Sequence, residues 1–408
     1  MVRYPLDCAS TMFLLSRSEN RRCNIRLTAA IREPVDRYVL QAALARTMQK
    51  YPTFFIRFTA QKNRLYFEPV ERVPVVRRQE SFSELRLMDN PQRCEAQVSF
   101  CEKEISLEYF HAVSDGKGGL TILKHLLAEY LSLKYRDDRI LSGIPMIPVE
   151  KQTENGYHVH GRGFRLERKH GQAYRIQGTP QAEETITVYR FSVRDVKQYA
   201  RQCHASINEL MTAILFRAIA RVQRDEHENQ KKLRLTVPID LRIRFPSQTL
   251  RNFTLNAYLE WKPQTERMEL PALCAQIRRY MQRAAAPEQL AGRCASSALA
   301  SELWPVSVAP LAIKRWIVRK SLNNPKAASC MTFSNLGVVE LPTELKDAVE
   351  ELRITFSAKP EAPYSACLVS VKDRMCLSLL RTIMEPLLEV QLEETLLELG
   401  IDFEKNGA

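Results

Sequence analysis

Residues 104–131 join a strand pattern to a helix pattern through one short polar loop, and that junction restricts the folds open to this chain. Glu104-to-Phe110 alternates as a strand does. Leu120, Leu123, Leu127, Tyr130 and Leu131 then share one face of a helix, with His125 off that face and read as solvent-facing. The joining sequence EYFHAVSDGKGG, residues 108–119, puts His111 at the strand end and Asp115 and Gly116 just beyond it. A histidine there is anchored by the sheet while its ring projects into the space the loop encloses. Asp115 and Gly116 suit a sharp turn, because Asx side chains bond back to nearby backbone and glycine tolerates positive φ. Gly118 and Gly119 allow the loop to tuck closely before the helix.

With 408 residues the chain is long for a single core, so two units of roughly 150–200 residues each are expected. We place the first at 1–170 and the second at 184–408, with 134–183 mostly a solvated linker. No apolar run reaches the roughly 18 residues a membrane span needs, and MVRYPLDCAS lacks the apolar core of a secretory signal. The ten cysteines show no metal-ligand spacing, which fits a reducing, cytoplasmic setting. A net charge of +13 is spread along the chain with no nucleic-acid module, so a polyphosphorylated cofactor or an acidic carrier protein is the better match.

In order, residues 1–20 read as a mixed segment and Cys23-to-Ile31 as a strand. A helix follows over Pro34-to-Lys50, with Leu40, Ala43, Leu44, Thr47 and Met48 on one side. Two hairpins are expected, Phe54-to-Thr59 with Leu65-to-Pro69, and Glu95-to-Cys101 with Glu104-to-Phe110. His158 and His160 share a side if their segment is extended, and His170 is the one nearby third histidine, so no metal site is assigned.

The second half opens with a strand, Glu184-to-Ser192, and a helix, Arg194-to-Cys203. Ser206 caps a longer helix with Leu210, Ile214, Ala218 and Val222 at spacing four; Arg217, Arg221 and Arg224 line another face, read as solvated. Strands are expected at Leu233-to-Ile239, Asn252-to-Trp261, Ser329-to-Leu336, 351–358, 366–373 and 374–381, and a last helix near 386–400. LAIKRWIVRK, residues 311–320, is basic and amphipathic; an ordinary surface helix is favoured over contact with a membrane surface.

The H-x-x-x-D-G of His111, Asp115 and Gly116, closing a strand and opening a helix, resembles the signature of the chloramphenicol acetyltransferase-like superfamily. PIDLR (238–242) is similar to the P-x-D-L-R element of alcohol acetyltransferases, and SNLG (334–337) to a late strand-end motif of wax-ester-synthase-like members; RNF (251–253) also matches in position. The resemblance implies an α+β sandwich of two subdomains, each a mostly antiparallel sheet with helices, and a tunnel between them. It also implies that Asp115 positions the loop by pairing with Arg242, beside Asp240, instead of relaying protons to His111. Two departures narrow the match: Phe110 stands where the longer H-H-x-x-x-D-G form has its first histidine, and the D-F-G-W-G box of the plant enzymes is absent. No carrier-protein or adenylation sequence accompanies the motif, which weakens a peptide-synthetase reading while leaving a free-standing condensation-type unit open; a monomer is expected.

The chemistry follows from the imidazole. With an ordinary pKa of about 6.5, His111 can accept a proton from an alcohol or amine as it attacks an acyl thioester. No G-x-S-x-G elbow and no cysteine in a nucleophile's context is present, so direct transfer without an acyl-enzyme is expected. Ser334 and Asn335, and secondarily Asn252, are candidates to hold the oxyanion. The expected activity is acyl transfer from acyl-CoA to an alcohol or amine. The alternatives are a condensation-type enzyme taking its acyl group from carrier-protein phosphopantetheine, and a catalytically silent acyl-ligand-binding member.

Overall fold

The structure, a computed structural model, describes residues 2–80, 94–165, 171–227, 231–263, 268–302, 309–322 and 329–406. The first half runs β1 (Tyr4–Pro5), α1 (Cys8–Ser16), β2 (Asn24–Ile31), α2 (Arg37–Lys50), β3 (Ile56–Gln61), β4 (Arg64–Pro69), β5 (Arg77–Arg78), β6 (Ala96–Cys101), β7 (Glu104–Phe110) and α3 (Gly116–Tyr135). Short helices α4 (Arg139–Ser142), α5 (Val149–Gln152) and α6 (Gly156–His160) lead into β8 (Pro180–Ser192), α7 (Val193–Gln202), α8 (Ile207–Asp225), β9 (Leu233–Asp240) and β10 (Thr254–Trp261). Then come α9 (Leu270–Ala284), α10 (Pro287–Glu302), α11 (Leu311–Leu322), β11 (Met331–Val338), α12 (Thr343–Ala348), β12 (Val349–Phe356), β13 (Tyr364–Val371), β14 (Arg374–Ile383), α13 (Leu387–Glu398) and β15 (Glu404–Asn406).

These strands form two large sheets and a small one. The five-stranded sheet has the order β12-β2-β7-β6-β5, the seven-stranded sheet β10-β9-β11-β13-β14-β8-β15, and the small one β1-β4-β3. Pairing is mostly antiparallel; the parallel pairs are β11 with β13, β11 with β9, and β5 with β6. The fold is therefore α+β, with mostly antiparallel sheets and helices packed on them.

Two features join the halves. Strand β12 comes late in the chain yet pairs with β2, Ile354 opposite Leu27, so the second half completes the first half's sheet. Strand β13 is buried at every position. Successive strand side chains point to opposite faces, and here they serve two cores: Cys367, Val369 and Val371 pack with α2 and α3, while Ala366 and Leu368 pack with α8 and α9. The expected helix faces are the buried ones, including the full stripe of α2 and the Leu210-to-Val222 row of α8. Ser206 and Glu209 close α8 with a reciprocal capping box.

Four readings are corrected. Residues 1–20 are not an irregular segment: Asp7 caps α1 by accepting from the Ser10 amide at 2.7 Å, and α1 packs along α11. The 134–183 stretch is not a solvated linker throughout, because it carries α4, α5 and α6 and buries Gln152 and Tyr157. His158 and His160 lie on helix α6, not on an extended segment; His160 stacks on Phe245 with ring centroids 5.3 Å apart. His170 lies outside the described residues. His125 is buried, not solvent-facing: its Nε2 is 2.6 Å from the Tyr51 hydroxyl, and burial lowers its pKa to about 4. Helix α3 is enclosed on most of its circumference, so a one-face reading underestimates what it buries. No helix among the described residues is long and apolar enough to cross a membrane, and none of their His, Cys, Asp and Glu residues cluster as metal ligands.

Candidate active site

His111 follows the last residue of β7, and its backbone is held from both sides. Its amide donates to the Cys23 carbonyl at 2.8 Å, and its carbonyl accepts from Asn252 Nδ2 at 2.8 Å. The Phe13 ring of α1 stacks on the imidazole, with centroids 4.0 Å apart and planes 16° off parallel. The residue keeps some accessible surface, while Nδ1 is buried without a hydrogen bond. Burial lowers the His111 pKa below its ordinary value, with its own carbonyl and Asp115 acting in the opposite direction. At neutral pH the imidazole is therefore uncharged and able to take a proton.

Asp115 faces away from this ring. It is the N-cap of α3: Oδ1 accepts from the Gly118 amide at 2.9 Å. Oδ2 accepts from Arg242 Nη1 at 2.9 Å and from the Phe253 amide at 2.8 Å. The same guanidinium donates to Asp240 at 3.0 Å, to the Thr249 carbonyl and to the Arg251 carbonyl. A residue in the loop after β7 is thus fixed to the turn between β9 and β10, and Asn252 belongs to that turn as well. PIDLR and RNF meet the H-x-x-x-D-G loop through these bonds.

The glycines act differently from the turn expected of them. Gly116 is the first residue of α3 and has no positive φ, so Asp115–Gly116 is a helix start, not a sharp turn. A Cβ at Gly116 would lie 3.2 Å from the Ile354 side chain and 3.4 Å from that of Leu336, which brings the SNLG strand against the loop. Gly118 and Gly119 are required by close approach. A Cβ at Gly118 would sit 2.5 Å from the Leu250 carbonyl oxygen, and one at Gly119 2.0 Å from the Tyr109 hydroxyl.

Ser334 and Asn335 lie on β11. Asn335 donates to Asn208 Oδ1 at 3.1 Å and accepts from the Gly337 amide at 2.8 Å, so both ends of its amide are engaged. Ser334 is half-buried and pairs in register with Cys367. Among the described residues no hydrogen bond joins either residue to His111. Asn252 does reach His111, but at its carbonyl, not at the ring.

Several participants carry no signal in the sequence. Phe13 is one apolar residue among many in a segment without clear periodicity. The Tyr109 hydroxyl donates to the Asp115 carbonyl at 2.9 Å, and the Ser114 hydroxyl to the Leu250 carbonyl; both read only as strand and loop residues. Burial pushes the thiol of every one of the ten cysteines above its usual pKa. A thiolate nucleophile is therefore disfavoured. Lys359 is near enough to His111 to depress its pKa, and with Arg22, Arg175 and Glu184 it lines a cavity of about 320 Å³.

No family model matches the sequence, and no curated protein matches it. Solved structures do. Trichothecene 15-O-acetyltransferase of Fusarium sporotrichioides superposes with a TM-score of 0.65 at 10% identity, over 98% of this chain and 94% of its own. F. graminearum TRI101, complexed with coenzyme A and T-2 mycotoxin, gives 0.64 at 12% identity, over 97% of each chain. Polyketide synthase associated protein 5 of Mycobacterium tuberculosis gives 0.63 at 14% identity, over 97% and 96%. Likeness at such low identity over nearly whole chains speaks to architecture: this chain has the chloramphenicol acetyltransferase-like fold.

Proposed function

We propose that the protein is an acyltransferase that moves an acyl group from a thioester, acyl-CoA in the first instance, directly to an alcohol or amine. His111 is the general base. It removes the acceptor's proton as the oxygen or nitrogen attacks the thioester carbonyl, and returns that proton to the sulfur as the thiolate leaves. The observation carrying this reading is the setting of His111: at the end of β7, held at its backbone by Cys23 and Asn252, stacked by Phe13, and with Asp115 committed to Arg242; its burial favours the neutral ring. A placed base of this kind contributes about 10²–10⁴-fold.

Asp115 and Arg242 are positioning residues in this scheme, supported by the bonds that tie the loop to the β9–β10 turn. Asn335 and Asn252 each spend one amide hydrogen, on Asn208 and on the His111 carbonyl, and keep the second; Ser334, Asn335 and Asn252 all stay candidates to hold the oxyanion. Arg22, Arg175 and Lys359, which line one cavity together with Glu19 and Glu184, are candidates to meet the phosphates of coenzyme A. Donor and acceptor would reach His111 through a tunnel between the two subdomains, 1–170 and 184–408. We take the chain to act in the cytoplasm and as a monomer.

The test is release of coenzyme A from a panel of acyl-CoAs with mixed alcohols and amines, comparing the native chain with folded His111→Ala. Acceptor-dependent release by the native chain alone supports the reading. Equal release by both removes His111 as base. Release that requires a carrier-protein thioester assigns the donor to the condensation-type alternative, and no turnover with either donor assigns a silent binding role.

A further inference from the structure

Helix α11 has two apolar sides, and only one of them is used. Leu311, Lys314, Val318 and Leu322 are half-buried and form the stripe that faces the body; the other eight residues are exposed. The body side is held by Lys314 Nζ, which donates to the Asn63 carbonyl at 2.9 Å, and by Arg319, which donates to the Arg17 carbonyl at 2.6 Å. The outward side carries Ile313 (48% exposed) and, one turn on, Trp316 (61%) and Ile317 (51%), with Lys320 continuing the row. Arg315 is exposed beside it, Lys320 Nζ lies 4.8 Å from the Trp316 ring centre, and the helix contains no acidic residue.

We infer that the outward face of α11 docks on an anionic phospholipid surface. An apolar row with tryptophan, bordered by arginine and lysine and lying along the protein's exterior, matches the bilayer interface in both its parts. The rings and branched side chains enter the headgroup boundary, the cations meet lipid phosphates, and long basic side chains extend their charges toward water. A second copy of this chain fits poorly, since the face offers no carboxylate to its own cations and each chain carries a net +13. Docking here would set the bilayer against α11 and, through the Arg319–Arg17 contact, beside α1, the helix whose Phe13 covers His111.

The experiment is co-sedimentation of the full chain with vesicles of phosphatidylcholine alone and of phosphatidylcholine mixed with phosphatidylglycerol. The native chain is expected to bind the mixed vesicles and to release at high salt. Arg315→Gln and Lys320→Gln should each weaken partitioning roughly fivefold, and Trp316→Ala with Ile317→Ala should reduce it by at least as much. All four positions are exposed, so circular dichroism should be unchanged, and vesicle binding is read without reference to any catalytic assay. Equal binding to neutral and anionic vesicles overturns the inference, as does binding that survives both sets of substitutions. Absent vesicle binding together with α11-dependent capture of an acidic acyl-carrier protein assigns the face to that partner and also overturns it.

Discussion

Arg242 and Asp115 are 127 positions apart in the chain, and their side chains meet at 2.9 Å with the carboxylate nearly sealed from solvent. The contact binds the loop carrying His111 to the turn carrying Asn252. Removing one partner of such a pair leaves an uncompensated buried charge, at a cost of about 3–5 kcal/mol. Asp115→Ala and Arg242→Ala should therefore lower stability to denaturant and soluble yield along with activity. Variants that unfold like the native chain yet are inactive would show that Asp115 takes part in the chemistry itself.

Phe13 stacks on His111 with ring centroids 4.0 Å apart and contributes to its burial. Burial is the leading cause of the lowered His111 pKa, so Phe13→Ala should admit water and move that pKa up toward about 6.5. Because the base must be neutral to act, the acid limb of the pH–rate profile should shift to higher pH in the variant. A limb that does not move while the fold is intact would show that Phe13 does not shield the ring.

His125 makes a separate contribution to the pH dependence of stability. Its folded pKa is about 4 against an ordinary 6.5, so the folded state favours the neutral ring. That stability is complete above about pH 6.5 and is lost as pH falls toward 4, amounting to on the order of 3 kcal/mol. His125→Phe should flatten the acid side of a stability-against-pH curve measured by urea unfolding. It also leaves the Tyr51 hydroxyl without this partner, so a general loss of about 1 kcal/mol is expected.

The glycines of the loop should separate by position. Gly118→Ala drives a Cβ into the Leu250 backbone and Gly119→Ala drives one into the Tyr109 ring, so both should fail to give soluble protein. Gly116→Ala meets only the ends of flexible Ile354 and Leu336 side chains, and should fold. Soluble expression and circular dichroism decide between these outcomes.

The cavity lined by Arg22, Arg175 and Lys359 gives a substrate prediction. If Arg22 and Arg175 meet the donor's phosphates and not the reacting carbonyl, Arg22→Ala combined with Arg175→Ala should raise KM for acyl-CoA several-fold and leave kcat little changed. A loss confined to kcat would place them in the chemistry.

Local order was legible in the sequence because its causes are local. The α2 stripe from Leu40 to Met48, the Ser206 cap, the hairpin of Glu95-to-Cys101 with Glu104-to-Phe110 and the strand-to-helix step at His111 each depend on residues a few positions apart. Hydrophobic spacing, capping groups and turn residues report such things directly. The motif similarity of His111, Asp115 and Gly116 to an acyltransferase loop was available in the same way.

The tertiary structure decided what depends on distant segments meeting. Only packing shows that β12 completes the first half's sheet, that β13 divides its side chains between two cores, and that Asn335 is held by Asn208. The same holds for Phe13 on His111, for the burial of His125, and for which side of α11 faces solvent. Spacing defines the faces of a helix or strand, but what covers each face is set by residues far away in the chain.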